Sequence, residues 1–254
     1  MHRRGFTLVE AVVALAVVSI LAGLTTPLAI RILNQRRAAA TRESLKVAFE
    51  AMFGSRDRRV ANMRADFGFN PTRSSSRLDF LVTPPKDVPP FRQDGKATFA
   101  WGYNGPYWQG PVLGGHPVDA WGNPIDLICK DGPGGVTWQV HSPGPDRSVG
   151  DDDLYYPPTP APESGYRATL LLVVTRASAD ISGTVTLRHG ASGPRLAEAA
   201  FPIDKDKAIQ NFTFTVPAGV VELVFNPKAA TGFKPFAIPM DLLPGHTREK
   251  EIVL

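Results

Sequence analysis

Cysteine is almost missing from this chain: Cys129 is the single one in 254 residues. One thiol makes no intramolecular disulfide and no multi-cysteine metal site. It lies in the apolar run Ile125-Asp126-Leu127-Ile128-Cys129 and reads as a small buried side chain. Catalytic signatures are missing too. No Gly-x-Ser-x-Gly elbow, His-Glu-x-x-His pair, phosphate loop or dinucleotide fingerprint occurs. His116, His141, His189 and His246 are scattered among turn and strand patterns, with no nucleophile paired to a base. An enzyme is therefore not expected. The net charge is only +4. No helix-turn-helix, zinc finger or aromatic RNA-binding signature accompanies it, which argues against nucleic acid as a partner.

Charge is also scarce over the first thirty residues, and that scarcity is the strongest signal present. Arg3-Arg4-Gly5-Phe6-Thr7-Leu8-Val9-Glu10 opens an apolar run ending near Ile30, in which Glu10 is the one ionisable side chain after Gly5. About 20 apolar residues in a helix cover the ~30 Å of bilayer hydrocarbon. A carboxylate placed there costs about 3 kcal/mol on insertion scales, so Glu10 is read as functional. A secretory signal peptide has a core of only about 7–15 residues with small residues after it, whereas here Gly5 precedes a much longer run.

These residues resemble the leader and N-terminal helix of type IV pilins and type II secretion pseudopilins. The resemblance implies cleavage of the Gly5–Phe6 bond by a prepilin peptidase and methylation of the new N-terminus. Removing the leader takes away Arg3 and Arg4 and lowers the net charge to about +2. Glu10 falls at the family's acidic position, where it pairs with the N-terminal amine of a neighbouring subunit. Each of these buried charges is costly alone and less so when matched, so Glu10 of one copy and Phe6 of another would set the axial register. Pro27 falls where these helices carry a proline. Together with Gly23 it predicts a bend or unwound stretch over residues 23–28. The implied setting is a single-pass inner-membrane protein with periplasmic C-terminal domains. Its implied partners are other pilin-like subunits and the inner-membrane assembly platform. Arginines on both sides of the apolar run (Arg3 and Arg4 before it, Arg31, Arg36, Arg37 and Arg42 after it) leave the positive-inside rule undecided.

Beyond Ile30, Leu45, Phe49, Met52, Phe53, Val60 and Met63 recur at spacings of three, four and seven, with charged residues between them. That pattern predicts an amphipathic continuation of the helix to about Arg59, its apolar stripe facing a core. Arg56-Asp57-Arg58-Arg59 reads as a solvated face. Residues 64–95 hold Ser74-Ser75-Ser76, Pro84-Pro85 and Pro89-Pro90 and predict an irregular excursion. Thr98–Tyr103 reads as a short strand. Ile125–Lys130 and Val136–Val140 read as a hairpin about Asp131-Gly132-Pro133-Gly134-Gly135.

Asp119-Ala120-Trp121-Gly122-Asn123-Pro124 resembles a segment of the major pseudopilin, with Ala120 in place of a proline. Ser142-Pro143-Gly144-Pro145-Asp146 with Gly150-Asp151-Asp152-Asp153-Leu154 resembles that family's calcium loop, with Arg147 in place of a glycine and a short insert. The resemblance implies a Ca2+ site with Ser142, Asp146, Asp151 and Asp153 as ligands, since calcium takes 6–8 oxygens. The bland reading of the same residues is a solvated acidic turn.

Tyr155 to Gly165 carries four prolines and reads as a semi-rigid linker. After it, Thr169–Thr175, Ile181–Arg188, Leu196–Ile203, Phe212–Val216, Val220–Phe225, Phe236–Pro239 and Arg248–Leu254 predict seven short strands of a β-sandwich. Phe212 to Gly219 loosely resembles carboxypeptidase-regulatory or transthyretin-like sandwiches. The expected fold class is α+β, a long N-terminal helix packed on a small antiparallel sheet followed by an all-β sandwich. The expected divisions are a leader at 1–5, a membrane and assembly helix at 6–30, a pilin-like domain at 31–154, a linker at 155–165 and the sandwich at 166–254. The alternative to a polymerising subunit is a membrane-anchored periplasmic binding module that never polymerises.

Overall fold

The computed structural model describes residues 8–55, 62–67, 77–93, 98–132, 135–176, 182–190, 197–204, 206–228 and 234–254. Helix α1 (Leu8–Phe53) is followed by α2 (Met63–Phe67) and the two-residue strands β1 (Arg92–Gln93), β2 (Ala100–Trp101), β3 (Val112–Leu113) and β4 (His116–Pro117). Then come β5 (Asp126–Gly132), β6 (Gly135–Ser142), β7 (Leu154–Pro162), β8 (Arg167–Thr175), β9 (Gly183–His189) and β10 (Ala197–Ile203). The last four are β11 (Ile209–Pro217), β12 (Gly219–Pro227), β13 (Phe236–Leu242) and β14 (Thr247–Val253). The chain is α+β, with one long N-terminal helix and a β-rich remainder.

The far half of α1 packs as its spacing predicts. Leu45, Phe49, Met52 and Phe53 are buried in one core with Trp138 and Val140 of β6 and Ala161 of β7. The Phe49 ring lies 4.7 Å from that of Phe53 and 5.7 Å edge-on from that of Tyr156. Replacing either Phe by Ala would cost about 3–5 kcal/mol. The helix stops at Phe53, six residues short of the expected Arg59. Gly54 follows with φ +85°, its N–H closing back on the Glu50 carbonyl at 2.8 Å. This left-handed residue ends the α ladder where only glycine avoids a Cβ penalty. Met63 is buried in the same core but belongs to α2. Val60, Arg56-Asp57-Arg58-Arg59 and Ser74-Ser75-Ser76 lie outside the described residues.

The expected unwinding near residues 23–28 is not found in this single chain: α1 is helical through Gly23 and Pro27. Hydroxyls in this half are satisfied within the helix. Ser19 donates to the Leu15 carbonyl at 2.8 Å, Thr25 to Leu21 at 2.9 Å and Thr26 to Ala22 at 2.7 Å. No polar hydroxyl among these needs water, as an apolar surround requires.

Strands β5, β6 and β7 form an antiparallel sheet against the helix. Here the structure corrects the linker. Residues 154–162 form β7, pairing Val140 with Tyr156 and Trp138 with Ala161. Pro157 to Pro160 fall in the register shift opposite Gln139. Proline lacks a ladder donor and is tolerated at sheet edges and bulges, so this run joins the sheet without breaking it. The Gln139 amide takes over from the missing ladder, donating to the Pro157 carbonyl at 2.9 Å. A single 3-10 turn, Glu163–Tyr166, then leads straight into β8.

Strands β1 and β2, and β3 and β4, form two-stranded sheets, and β8 to β14 form a four-stranded sheet in the order β10-β9-β12-β13 and a three-stranded sheet in the order β11-β8-β14. All seven strands read from the sequence after the prolines occur within a few residues of their expected bounds. Leu170, Leu172 and Val174 of β8 and Phe214 of β11 share one core with Leu187 of β9 and Leu223 and Phe225 of β12. Inward and outward residues alternate along β8, as a half-buried strand requires. Strand β14 runs parallel to β8, the others pair antiparallel.

This β-rich region is docked on the helical part. Phe99, Trp101 and Val220 form a separate small cluster between them. Glu222 of β12, fully buried, accepts from the Thr98 N–H at 2.8 Å and from the Thr98 hydroxyl at 2.5 Å. The Arg188 guanidinium approaches the other oxygen of Glu222 at 3.4 Å.

Candidate functional site

Two regions carry the expected functional residues. The first is the near half of α1. Its most apolar stretch has mean hydropathy 2.4 and is wholly unburied within the chain. Leu8, Leu15, Val18 and Ile20 are each more than 60% exposed. Roughly 25 cal/mol is lost per Å² of apolar surface left in water, so this surface needs lipid or another apolar partner. Glu10 stands in the first described turn, and Pro27 lies inside the helix. Gly5 and Phe6 lie outside the described residues.

The second region is the pair of loops at the end of the sheet. Asp119 is its hub. One carboxylate oxygen accepts from the N–H groups of Trp121 and Asn123, both at 2.8 Å. The other accepts the Ser142 hydroxyl at 2.6 Å. Asn123 donates to the Gly144 carbonyl at 2.6 Å, and Gly144 N–H returns to the Ser142 oxygen at 3.2 Å. Ala120 N–H reaches the Thr41 hydroxyl of α1 at 3.1 Å. An aspartate that caps its own turn in this way ties the loop together through protein donors.

Of the four expected calcium ligands, Ser142 is thus turned to Asp119. Asp146 accepts from Ser148 N–H at 2.8 Å. Asp151 is exposed. Asp153 faces inward: its Oδ2 lies 3.0 Å from His141 Nε2 and accepts from the Tyr155 hydroxyl at 3.0 Å, while Oδ1 accepts from Gly150 N–H at 3.1 Å. Burial pushes the Asp153 carboxyl up, but hydrogen bonds from His141, Tyr155 and Gly150 outweigh it and hold the group below its usual range. Asp153 is therefore an ionised acceptor met by protein donors. Among the described residues no three His, Cys, Asp or Glu side chains converge as ligands would. Arg147, which stands where the resembling loop has a glycine, has φ +65°, in the left-handed region.

The sequence reading placed Asp119 and Asn123 in a segment resembling one of the major pseudopilin without giving them a role, and read His141 as a scattered histidine and Tyr155 as the start of a linker. The Asp-x-Trp-Gly-Asn spacing carried a turn signal. The meeting of His141 with Asp153 follows only once β6 and β7 are paired. Beside these loops, α1 and β7 frame a groove of about 640 Å3 walled by Arg42, Glu43 and Lys46 and floored by Tyr155 and Tyr156. Its charges are mixed, and no catalytic arrangement is present among them.

Residues 1–26 match the family model described as the prokaryotic N-terminal methylation motif. A comparison with the curated proteins gives no match. The motif covers the leader, Glu10 and most of the exposed apolar helix, and it supports a type IV pilin-like prepilin with a single-pass membrane anchor.

Proposed function

We propose that this chain is a pilin-like, pseudopilin-type subunit of a type II secretion or type IV pilus-like filament, cleaved after Gly5 and polymerised through its N-terminal helix. The observation that carries this reading is the coincidence of the methylation motif with a helix whose apolar half the chain leaves entirely uncovered. A plain anchor accounts for the apolar surface, and a polymer accounts in addition for the carboxylate within it. On leaving the membrane, that half would have to be covered by the helices of other subunits. Glu10 of an incoming copy would answer the amine of Phe6 on one already in place, because each charge is costly alone in an apolar surround. The β-rich region at residues 167–254 would then be displayed on the filament or turned to cargo. Calcium is not needed for this reading.

Intact mass of the mature protein tests processing: a start at methylated Phe6 supports it, and any other start removes it. Substitution Glu10→Ala tests assembly. Filaments that form unimpaired in that variant would remove the Glu10 pairing from the account, whereas a parent chain that forms no filaments at all would leave the non-polymerising binding module as the better one.

A further inference from the structure

The residues between the apolar span and the globular part form a neck. Residues 31–37 are all exposed, and the packing of α1 on the rest of the protein begins at Thr41, which is buried. The neck carries Arg31, Arg36 and Arg37, and no acid occurs on α1 between Glu10 and Glu43. Ile32 and Leu33 remain exposed at 43% and 49%, so the apolar surface ends at Leu33.

At 1.5 Å per residue, Arg36 and Arg37 stand about 4.5 and 6 Å beyond Leu33 along the axis. The headgroup layer on one side of a bilayer is about 5–8 Å deep. Arg31 lies half a turn inside Leu33, a depth from which its stem can carry the guanidinium out to the interface. At 100° per residue the three arginines sit about 100°, 120° and 140° apart around the helix. They make a collar, not a stripe. A protein partner would sit against one side of the helix, whereas a lipid surface surrounds it.

We infer that Arg31, Arg36 and Arg37 form a binding collar for anionic phospholipid headgroups on the face of the bilayer nearest the globular part. The planar guanidinium matches phosphate oxygens in two-point hydrogen bonds. The collar also resolves the unhelpful arginine count on the two sides of the span: these three would act as lipid ligands at the interface. The inference rests on membrane insertion of α1 and not on filament formation.

The test uses the full-length chain in vesicles of phosphatidylethanolamine with 30% phosphatidylglycerol, transferred to mild detergent, with the retained lipid measured by native mass spectrometry. Phosphatidylglycerol should be retained in preference to phosphatidylethanolamine. The preference should fall roughly fivefold for each arginine changed to Gln, at about 1 kcal/mol per charge. The variant R31Q/R36Q/R37Q should lose it. R31K/R36K/R37K should keep most of it, and R42Q, about 13 Å beyond Leu33, should be unaffected. All these positions are exposed, so the core is untouched. Equal retention of both lipids, or a preference that survives the triple Gln variant, overturns the inference. Loss of the chain from the vesicle fraction in alkaline carbonate would overturn insertion itself, and it reads out separately.

Discussion

Glu222 and Thr98 are 124 residues apart in sequence, and the Glu222 carboxylate accepts both the backbone N–H and the hydroxyl of Thr98, at 2.8 and 2.5 Å. The contact joins the β-rich region to the helical part at a fully buried acid. Removing one partner of a buried charge-assisted hydrogen bond leaves the other unsatisfied. Glu222→Ala should therefore destabilise the protein by about 2–3 kcal/mol in denaturant unfolding. Glu222→Gln, which keeps an acceptor oxygen, should cost less. Limited proteolysis should then cut first near the 3-10 turn at Glu163–Tyr166. Unchanged stability in both variants would show that the docking does not depend on this pair.

A pH dependence follows from Asp66 of α2. Burial pushes its carboxyl up from 3.8 to about 6, against hydrogen bonds from Tyr107, whose hydroxyl donates at 2.6 Å, and from Asn104. The folded pKa lies above the unfolded one, so the folded state holds the proton more tightly. This contribution to stability is fully present below pH 3.8 and is lost as pH rises through about 6. Two units correspond to at most about 3 kcal/mol, so about 1–3 is expected across that window. Asp66→Asn should flatten this part of the stability profile measured by urea unfolding between pH 4 and 7. A profile as steep as that of the parent chain would remove Asp66 from the account.

Ser142, one of the ligands that the loop resemblance implies, donates to the buried Asp119 at 2.6 Å. Ser142→Ala would strip one donor from the buried Asp119 and should cost about 1–3 kcal/mol. Millimolar calcium should leave the melting temperature of the parent chain unchanged, because Asp153 already has three donors. A calcium-dependent rise in melting temperature, abolished by Asp153→Asn, would show that the loop rearranges into a metal site.

Arg147 stands at φ +65°. The left-handed region costs a non-glycine residue roughly 1–2 kcal/mol, and glycine gives back part of that through its looser unfolded chain. Arg147→Gly should stabilise by about 0.5–1 kcal/mol in thermal unfolding. A loss of stability would mean that the Arg147 side chain makes a contact that outweighs its backbone.

Local patterns made much of this fold legible. The buried stripe Leu45, Phe49, Met52 and Phe53 and the seven C-terminal strands follow from side-chain period alone, since period 3.6 or 2 decides which face is apolar. The helix end was missed, although Gly54 directly follows Phe53. The apolar pattern resumes at Val60 and Met63 and bridges that stop, which is why the helix was drawn too long. The β7 strand was hidden by its prolines. Their usual meaning is loop, and only the register shift opposite Gln139 shows how a ladder absorbs four residues that it does not pair. At the loop site, Ser142 and Asp153 were found but their partners were not. Asp119 and His141 meet them across separate elements, and no spacing in a single sequence encodes that meeting; Tyr155, two residues from Asp153, is a local partner.

Because β7 is a strand and only one short turn separates it from β8, the two parts of the chain share no slack. A tethered module on a loose string samples many orientations, while this one inherits the heading of the helix beneath it. A fibre of such protomers would carry its outer β layers as a regular lattice, each repeating at the pitch of the core. Any ligand contacting two adjacent copies would then meet them at one fixed spacing and angle.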